Sequence, residues 1–131
     1  MKTPKWVDRR ALILLHGETL AEHGGLPGLR DEGALEASLA RPRHQHAYEP
    51  QSELPRLAAA YCFGIVRNHP FNDGNKRAGF LALGLFLARN GRELTADPVE
   101  AIAVVLRLAD GKMKELALAA WIKQNIKKAQ D

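Results

Sequence analysis

A strongly apolar helix is predicted by residues 75–90, which read NKRAGFLALGLFLARN. The pair Asn72-Asp73 can cap the start of this helix, and Gly91 favours a left-handed stop after it. Large apolar side chains fall on every side of the predicted helix: Phe80, Leu81, Leu83, Leu85, Phe86 and Leu87. A helix that is apolar nearly all round belongs at the centre of a bundle, so amphipathic helices are expected to surround it.

Five further helices are predicted from capping residues and from apolar residues repeated at steps of three and four. They cover residues 6–23, 31–41, 52–68, 97–110 and 114–127. In the first of them, one buried stripe is expected from Val7, Ala11, Leu14, Leu15 and Leu20. No run of useful length alternates apolar and polar residues as a strand does. The predicted fold class is therefore all-α, a bundle of about six helices around the apolar central helix.

One long irregular segment is predicted at residues 42–52. Because a proline disfavours helical geometry in the residue before it, Pro42 is expected to end the second helix. The segment has room for a short extended flap. His44 and His46 lack a third ligand, so a solvated loop is favoured over a metal site. The lysine-rich tail is expected to be a frayed end.

The length and composition are those of an ordinary globular chain. With 131 residues, the chain is expected to form a single domain over residues 1–131. The single cysteine allows no internal disulfide, and no signal core or bilayer-length apolar run is present, so a cytoplasmic protein without membrane contact is predicted. A net charge of +4 suits a phosphate-bearing ligand but is too small to indicate a nucleic-acid surface.

A candidate site lies between the third and fourth predicted helices, in residues 68–77, NHPFNDGNKR. The first turn of a helix has unpaired N–H groups and a partial positive charge, so it favours anions. Lys76 and Arg77 are cations at this end, where acidic residues are usual, and a bound phosphate would supply the missing negative charge. Gly74 permits close approach to the backbone, Asn75 offers an uncharged donor, and Arg77 offers a planar fork.

Two further residues of this segment have the chemistry of phosphate transfer. His69 can take a proton from an incoming hydroxyl at neutral pH and is the candidate general base. Asp73 can hold a magnesium ion, which commonly takes one or two protein carboxylates and completes its shell with water and phosphate. Each residue taken singly has a structural alternative as a helix cap or a solvated charge. Their concentration in nine residues favours a site.

The segment His69-Pro70-Phe71-Asn72-Asp73-Gly74-Asn75-Lys76-Arg77 resembles the signature of the Fic superfamily. The lysine between the asparagine and the arginine makes it similar to the Doc, or death-on-curing, branch. The resemblance extends upstream to GLRDEG at residues 28–33 and LEASLARP at residues 35–42, and downstream to LARNG at residues 87–91. Arg30 and Asp31 match the family pattern too, but a structural role near a helix cap is favoured for them over a place in the site.

The resemblance implies an all-α toxin of a type II toxin–antitoxin system, acting as a protein kinase. Such a toxin transfers the γ-phosphate of ATP to a Ser/Thr hydroxyl of a translation factor, a threonine of elongation factor Tu in the family, and so blocks translation. It implies His69 as the base, Asp73 as the Mg²⁺ ligand and residues 74–77 as the phosphate-binding turn. It further implies that the flap docks the target segment as an added strand, with backbone pairing near His46 to Tyr48. It also implies inhibition by a separate Phd-like antitoxin, whose C-terminal segment folds against the toxin.

Two alternatives remain open from the sequence. Adenylylating Fic enzymes usually carry a second glycine and a second arginine in the signature, where this chain has Lys76 and Phe80. That departure favours γ-phosphate transfer over a protein adenylyltransferase. A non-catalytic basic binding module is the lesser alternative, and it predicts no role for His69.

Overall fold

A computed structural model describes residues 3–130, which form six α-helices and one small two-stranded sheet. The elements in chain order are α1 (Arg9–His23), α2 (Glu32–Tyr48), α3 (Leu54–Asn68), α4 (Asn75–Arg89), β1 (Arg92–Leu94), α5 (Pro98–Ala109), α6 (Glu115–Gln124) and β2 (Ile126–Lys128). The predicted all-α class with six helices is confirmed. None of the helices in the described range is long and apolar enough to cross a membrane.

The helix at the centre of the bundle is α3, which contacts α2, α4, α5 and α6. Ten of its fifteen residues are buried, against seven of fifteen in α4. The prediction that residues 75–90 form the central helix is therefore wrong. The alanines 58–60 and Gly64 keep α3 slim enough for neighbours to approach on several sides, whereas Gly84 and Ala88 of α4 face solvent.

The buried face of α1 differs from the predicted stripe. Leu12, His16 and Leu20 are buried at four-residue spacing, while Leu14 is 68% exposed. The helix also begins at Arg9 and not at residue 6, because the Asp8 carboxylate accepts a hydrogen bond from the Arg10 N–H and caps it there. The inclusion of Leu14 in the buried face was wrong, and a histidine lies in that face instead.

The predicted irregular segment is helical over most of its length, because α2 continues through Pro42 to Tyr48. A proline inside a helix removes one backbone hydrogen bond and costs about 3 kcal/mol. Here Pro42 is buried, and contacts beyond it hold the helix: Arg56 Nη2 donates to Gln45 Oε1 at 3.0 Å, and the His46 ring packs edge-on against Trp6. Since a helix already pairs its backbone groups, the predicted extended flap at residues 46–48 is wrong.

The lysine-rich tail contains the second strand of the sheet, so the predicted frayed end is wrong for Ile126–Lys128. β2 pairs antiparallel with β1, with Leu94 opposite Ile126 and both side chains packed against the core. The sixth helix ends accordingly at Gln124 and not at residue 127. This pairing depends on where α4 and α6 end in space, which a three-residue segment does not reveal by its own pattern.

Candidate active site

The start of α4 has no side-chain cap within the described residues. Gly74 occupies the N-cap position with φ 71° and ψ 27°, a left-handed conformation that favours glycine. The proposed capping by Asn72 or Asp73 is therefore wrong. No acceptor in residues 3–130 bonds the N–H groups of residues 74–77, and the side chains of Lys76 and Arg77 are exposed beside them. The helix start can thus receive an anion through both backbone donors and cations.

His69 ends α3 and is exposed at the edge of this helix start. Its φ of 50° is the only positive value for a non-glycine residue in the described chain, and its N–H donates to Ile65 O at 3.1 Å. Histidine is among the residue types that tolerate this left-handed conformation. Asn75 Nδ2 lies 3.5 Å from His69 Nδ1, at the long limit of a hydrogen bond, so the ring is only weakly oriented by it.

The backbone turn around His69 is held by Arg30. Its Nε donates to His69 O at 2.6 Å and its Nη2 donates to Asn68 O at 2.9 Å. These carbonyls belong to the C-terminal end of α3, where a cation is favoured by the helix dipole. Arg30 thus has a structural contact, as favoured from the sequence, but this contact is with the backbone of the candidate base itself. Asp31, as predicted, caps α2 by accepting from the Ala34 N–H.

Residues 24–31 run alongside residues 70–73 and form a brace for the turn. The N–H groups of Arg30 and Asp31 donate to Pro70 O at 2.8 and 3.1 Å, and Asn72 N–H donates to Gly28 O at 3.0 Å. Leu29 and Phe71 form an isolated antiparallel β-bridge. The backbone segment that pairs with the turn therefore lies in residues 24–31, before α2, and not in the segment after Pro42 where a flap was expected.

Asp73 is exposed, and one of its carboxylate oxygens accepts a hydrogen bond from the brace. Leu26 N–H donates to Asp73 Oδ2 at 2.8 Å. No cluster of three or more His, Cys, Asp or Glu side chains suited to a metal occurs in residues 3–130. A lone carboxylate still matches the donor set of Mg²⁺ bound to a nucleotide, because phosphates and water supply the other ligands. Its role as a metal ligand stays a prediction.

Asn75 is the most enclosed polar residue of the turn, with 9% of its surface exposed. Its Oδ1 accepts from the Phe71 N–H and its Nδ2 donates to Phe71 O, both at 2.9 Å. The side-chain amide thus closes the turn on itself. For Asn75 as a phosphate ligand, which stays a prediction, the free donor is its backbone N–H.

His16 was missed by sequence reasoning, although it contacts three residues of the turn. Its Nε2 lies 2.8 Å from Asp73 O, its ring stacks on Phe71 with centroids 3.8 Å apart, and a Cβ at Gly74 would lie 3.2 Å from its Nε2. The available signal was a polar residue at four-residue spacing between Leu12 and Leu20. The predicted apolar stripe included Leu14 and Leu15, and it therefore placed the buried face of α1 away from His16.

Phe80 and Cys62 are both excluded from direct phosphate chemistry. Phe80, three residues after Arg77, packs against the hydrophobic core and carries no group that binds an anion. Cys62 is fully buried on α3, and this burial raises the pKa of its thiol to about 12. The thiol is therefore protonated at neutral pH, in agreement with the expectation that it has no nucleophilic role.

The comparisons with known proteins agree on one family. The model of the Fic/DOC family matches residues 6–87, a region that contains α1 to α3, the whole turn and most of α4. "Protein kinase doc" of Escherichia phage P1 is 34% identical over 118 residues, which cover 90% of this chain and 93% of the phage protein. "Toxin Doc" of Mycolicibacterium smegmatis is 43% identical over 77 residues, which cover 56% of this chain and 58% of that toxin. By the extent of the family match and of the phage relative, this chain belongs to the Fic/DOC family.

Proposed function

We propose that this protein is the toxin of a type II toxin–antitoxin system and acts as a protein kinase. In this proposal it transfers the γ-phosphate of ATP to a Ser/Thr hydroxyl of a translation factor. The observation that carries the proposal is the uncapped start of α4, where free N–H groups and two cations lie next to His69 and Asp73. The similarity to a phage protein named as a kinase supports the same reaction.

The phosphates of the nucleotide would bind at residues 74–77. Gly74 has no side chain to obstruct a phosphate, and its left-handed backbone presents successive N–H groups to an anion. Arg77 can bind two phosphate oxygens in parallel, and Lys76 adds a second charge. Together these groups offset the charge of a triphosphate at a helix end that already favours anions.

His69 would act on the hydroxyl of the target. The unprotonated nitrogen of its neutral ring takes the hydroxyl proton as the oxygen attacks the γ-phosphorus. A bond forms between that oxygen and the γ-phosphorus while the bond to the bridging oxygen of the β-phosphate breaks. The products are a phosphorylated protein and ADP. Such a base contributes about 10²–10⁴ in rate.

Asp73 is the residue that would hold Mg²⁺. Its carboxylate is exposed beside the helix start, and Leu26 N–H occupies only one of its two oxygens. When bound, the ion neutralises phosphate charge. The hydrogen bond from Leu26 keeps the carboxylate in one position, so that its second oxygen is oriented for a ligand.

Phe80 favours transfer of the γ-phosphate over transfer of the adenylyl group. Adenylylating relatives resemble this chain but usually have an arginine at the corresponding position, which would anchor the α-phosphate. Here the ring packs on the core and offers that phosphate nothing. A nucleotide held by residues 74–77 would then present its γ-phosphate to His69.

The target and the inhibitor are proposed from the family. We propose elongation factor Tu as the translation factor and a Phd-like antitoxin as the partner that silences the toxin. The reaction belongs to the cytoplasm, where ATP and the translation factor are found.

The test uses purified protein, elongation factor Tu and Mg²⁺, with ATP labelled in parallel at the α- or the γ-phosphate. We expect label in the target from γ-labelled ATP only, with a mass gain of one phosphate group. His69→Asn is the matched control, since asparagine also tolerates the left-handed backbone but is not a base. Label from the α-position would assign adenylyl transfer. Absence of label from both positions, in the factor and in a translation extract, would overturn the proposal.

A further inference from the structure

We infer that His16 is a positioning residue, which sets the orientation of the peptide between Asp73 and Gly74 and so aims the Gly74 N–H at the bound phosphate. The inference rests on the proposed function for the identity of the ligand. The contact itself, between a buried side chain of α1 and the turn before α4, stands on geometry alone.

The hydrogen-bond partner of His16 determines which ring nitrogen carries the hydrogen. Its Nε2 lies 2.8 Å from Asp73 O, and a carbonyl oxygen can only accept a hydrogen bond. Nε2 therefore carries a hydrogen and donates it. His16 is 2% exposed, so this bond is shielded from water. A leucine would fill the same place on the apolar face of α1, but it would leave the Asp73 carbonyl without this partner.

The bond to Asp73 O also fixes the opposite side of the same peptide. In a trans peptide the C=O and the following N–H point in opposite directions. With the carbonyl directed at α1, the Gly74 N–H points away from α1, and no acceptor in the described chain binds it. This is the first of the four free donors at residues 74–77.

Without a restraint this peptide is free to turn over. A peptide flip changes ψ of Asp73 and φ of Gly74, and a glycine accommodates such a change at little cost. A flip would turn the Asp73 carbonyl toward the anion and withdraw one donor. The stacking of the His16 ring on Phe71, with planes 23° apart, adds a second restraint two residues earlier in the turn.

Two variants separate the donor from the ring. His16→Phe keeps a ring that can stack on Phe71 but cannot donate, whereas His16→Gln restores an N–H donor at similar reach without the ring. Both are expected to fold, since each places a side chain of similar size at this buried position. Thermal unfolding followed by circular dichroism checks this.

The first measurement is the affinity of each variant for ATP with Mg²⁺ by calorimetry. We expect His16→Phe to bind about tenfold or more weakly, the loss of one hydrogen bond to a charged group. His16→Gln is expected to recover most of the affinity. A purely structural role of the ring predicts the reverse order. Equal affinity of His16→Phe and wild type would overturn the inference.

The second measurement does not depend on any nucleotide. In ¹⁵N spectra of the free protein, His16 should carry its hydrogen on Nε2, and the Gly74 amide signal should shift or broaden in His16→Phe but not in His16→Gln. A hydrogen on Nδ1 alone, or an unchanged Gly74 signal in His16→Phe, would overturn the inference. If the wild type transfers no phosphate, the proposed function fails while these spectra still decide the role of His16.

Discussion

The first turns of α4 and α5 differ in what binds their unpaired backbone N–H groups. Within the described residues a side chain caps α5, whereas α4 has no side-chain cap. At α5, Asp97 Oδ1 accepts from the Val99 N–H at 3.0 Å, Pro98 occupies the first turn and Glu100 adds a negative charge. At α4, Gly74 provides no cap and the first turn carries Lys76 and Arg77 instead of an acidic residue. A start like that of α5 stabilises its helix, and one like that of α4 leaves its donors and charges for another molecule.

The stability of α4 must therefore come from elsewhere. Its buried face packs on α3, where a Cβ at Gly79 would lie 2.8 Å from Val66 Cγ2 and 3.1 Å from Cys62 O. The turn before it is held from outside: Arg30 bonds the carbonyls of Asn68 and His69, and His16 bonds the carbonyl of Asp73. The contrast with α5 teaches that a helix end can be kept open for a ligand when packing and neighbouring segments hold the helix.

The largest effect is expected from His69→Asn. Loss of the base should lower the rate of phosphate transfer by about 10²–10⁴ and relieve growth arrest on expression, while the melting temperature stays close to wild type. His44→Asn, at an exposed histidine on α2, is the matched control and should transfer phosphate normally. Undiminished transfer by His69→Asn would remove His69 from the reaction.

The two ends of α4 should respond oppositely to loss of an arginine. Arg77→Ala should weaken ATP binding by about 1.5–3 kcal/mol, the value of a charged hydrogen bond. It should also raise the free energy of unfolding of the free protein by about 0.3–1 kcal/mol, because a cation at a helix start is unfavourable.

Arg89→Ala, in the last turn of the same helix, is the control. It should leave ATP binding unchanged and slightly lower the free energy of unfolding. Calorimetry and denaturant unfolding measure both quantities. If both arginine variants changed affinity and stability alike, the start of α4 would have no special charge requirement.

The two faces of α4 are compared by Gly79→Ala and Gly84→Ala. At Gly79 the added methyl group meets Val66 and the backbone of Cys62, so a loss of about 1–3 kcal/mol in the free energy of unfolding is expected. At Gly84 nothing lies within 4 Å, and alanine should stabilise the helix by up to about 1 kcal/mol. Urea unfolding of the pair tests whether α4 depends on its packed face, and equal stabilities would contradict that view.

The smallest effect is expected at the start of α5. Asp97→Ala removes a working cap and should lower the free energy of unfolding by about 1 kcal/mol, with no change in ATP affinity. Urea unfolding and calorimetry measure the two quantities, and a loss of ATP affinity in Asp97→Ala would contradict the comparison.

The helices and the candidate turn could be read from local patterns. The caps Asp31 and Asp97, the end of α3 at His69 and the concentration of charge at residues 69–77 are all set by neighbours in the chain. A phosphate-binding turn is likewise built from consecutive residues, so its chemistry is visible in the sequence. The segment after Pro42 shows the limit of such patterns, because distant contacts with Trp6 and Arg56 maintain a helix there.

The support of the turn is decided by tertiary structure. His16 and Arg30 reach it from positions 57 and 39 residues away in the chain. Their partners are backbone carbonyls, which every residue carries and which therefore leave no pattern in the sequence. The centre of the bundle is decided in the same way, since small residues on α3 become important only when helices are packed around them. Local propensity specifies which residues can bind a phosphate, whereas packing specifies how firmly and in which orientation they are held.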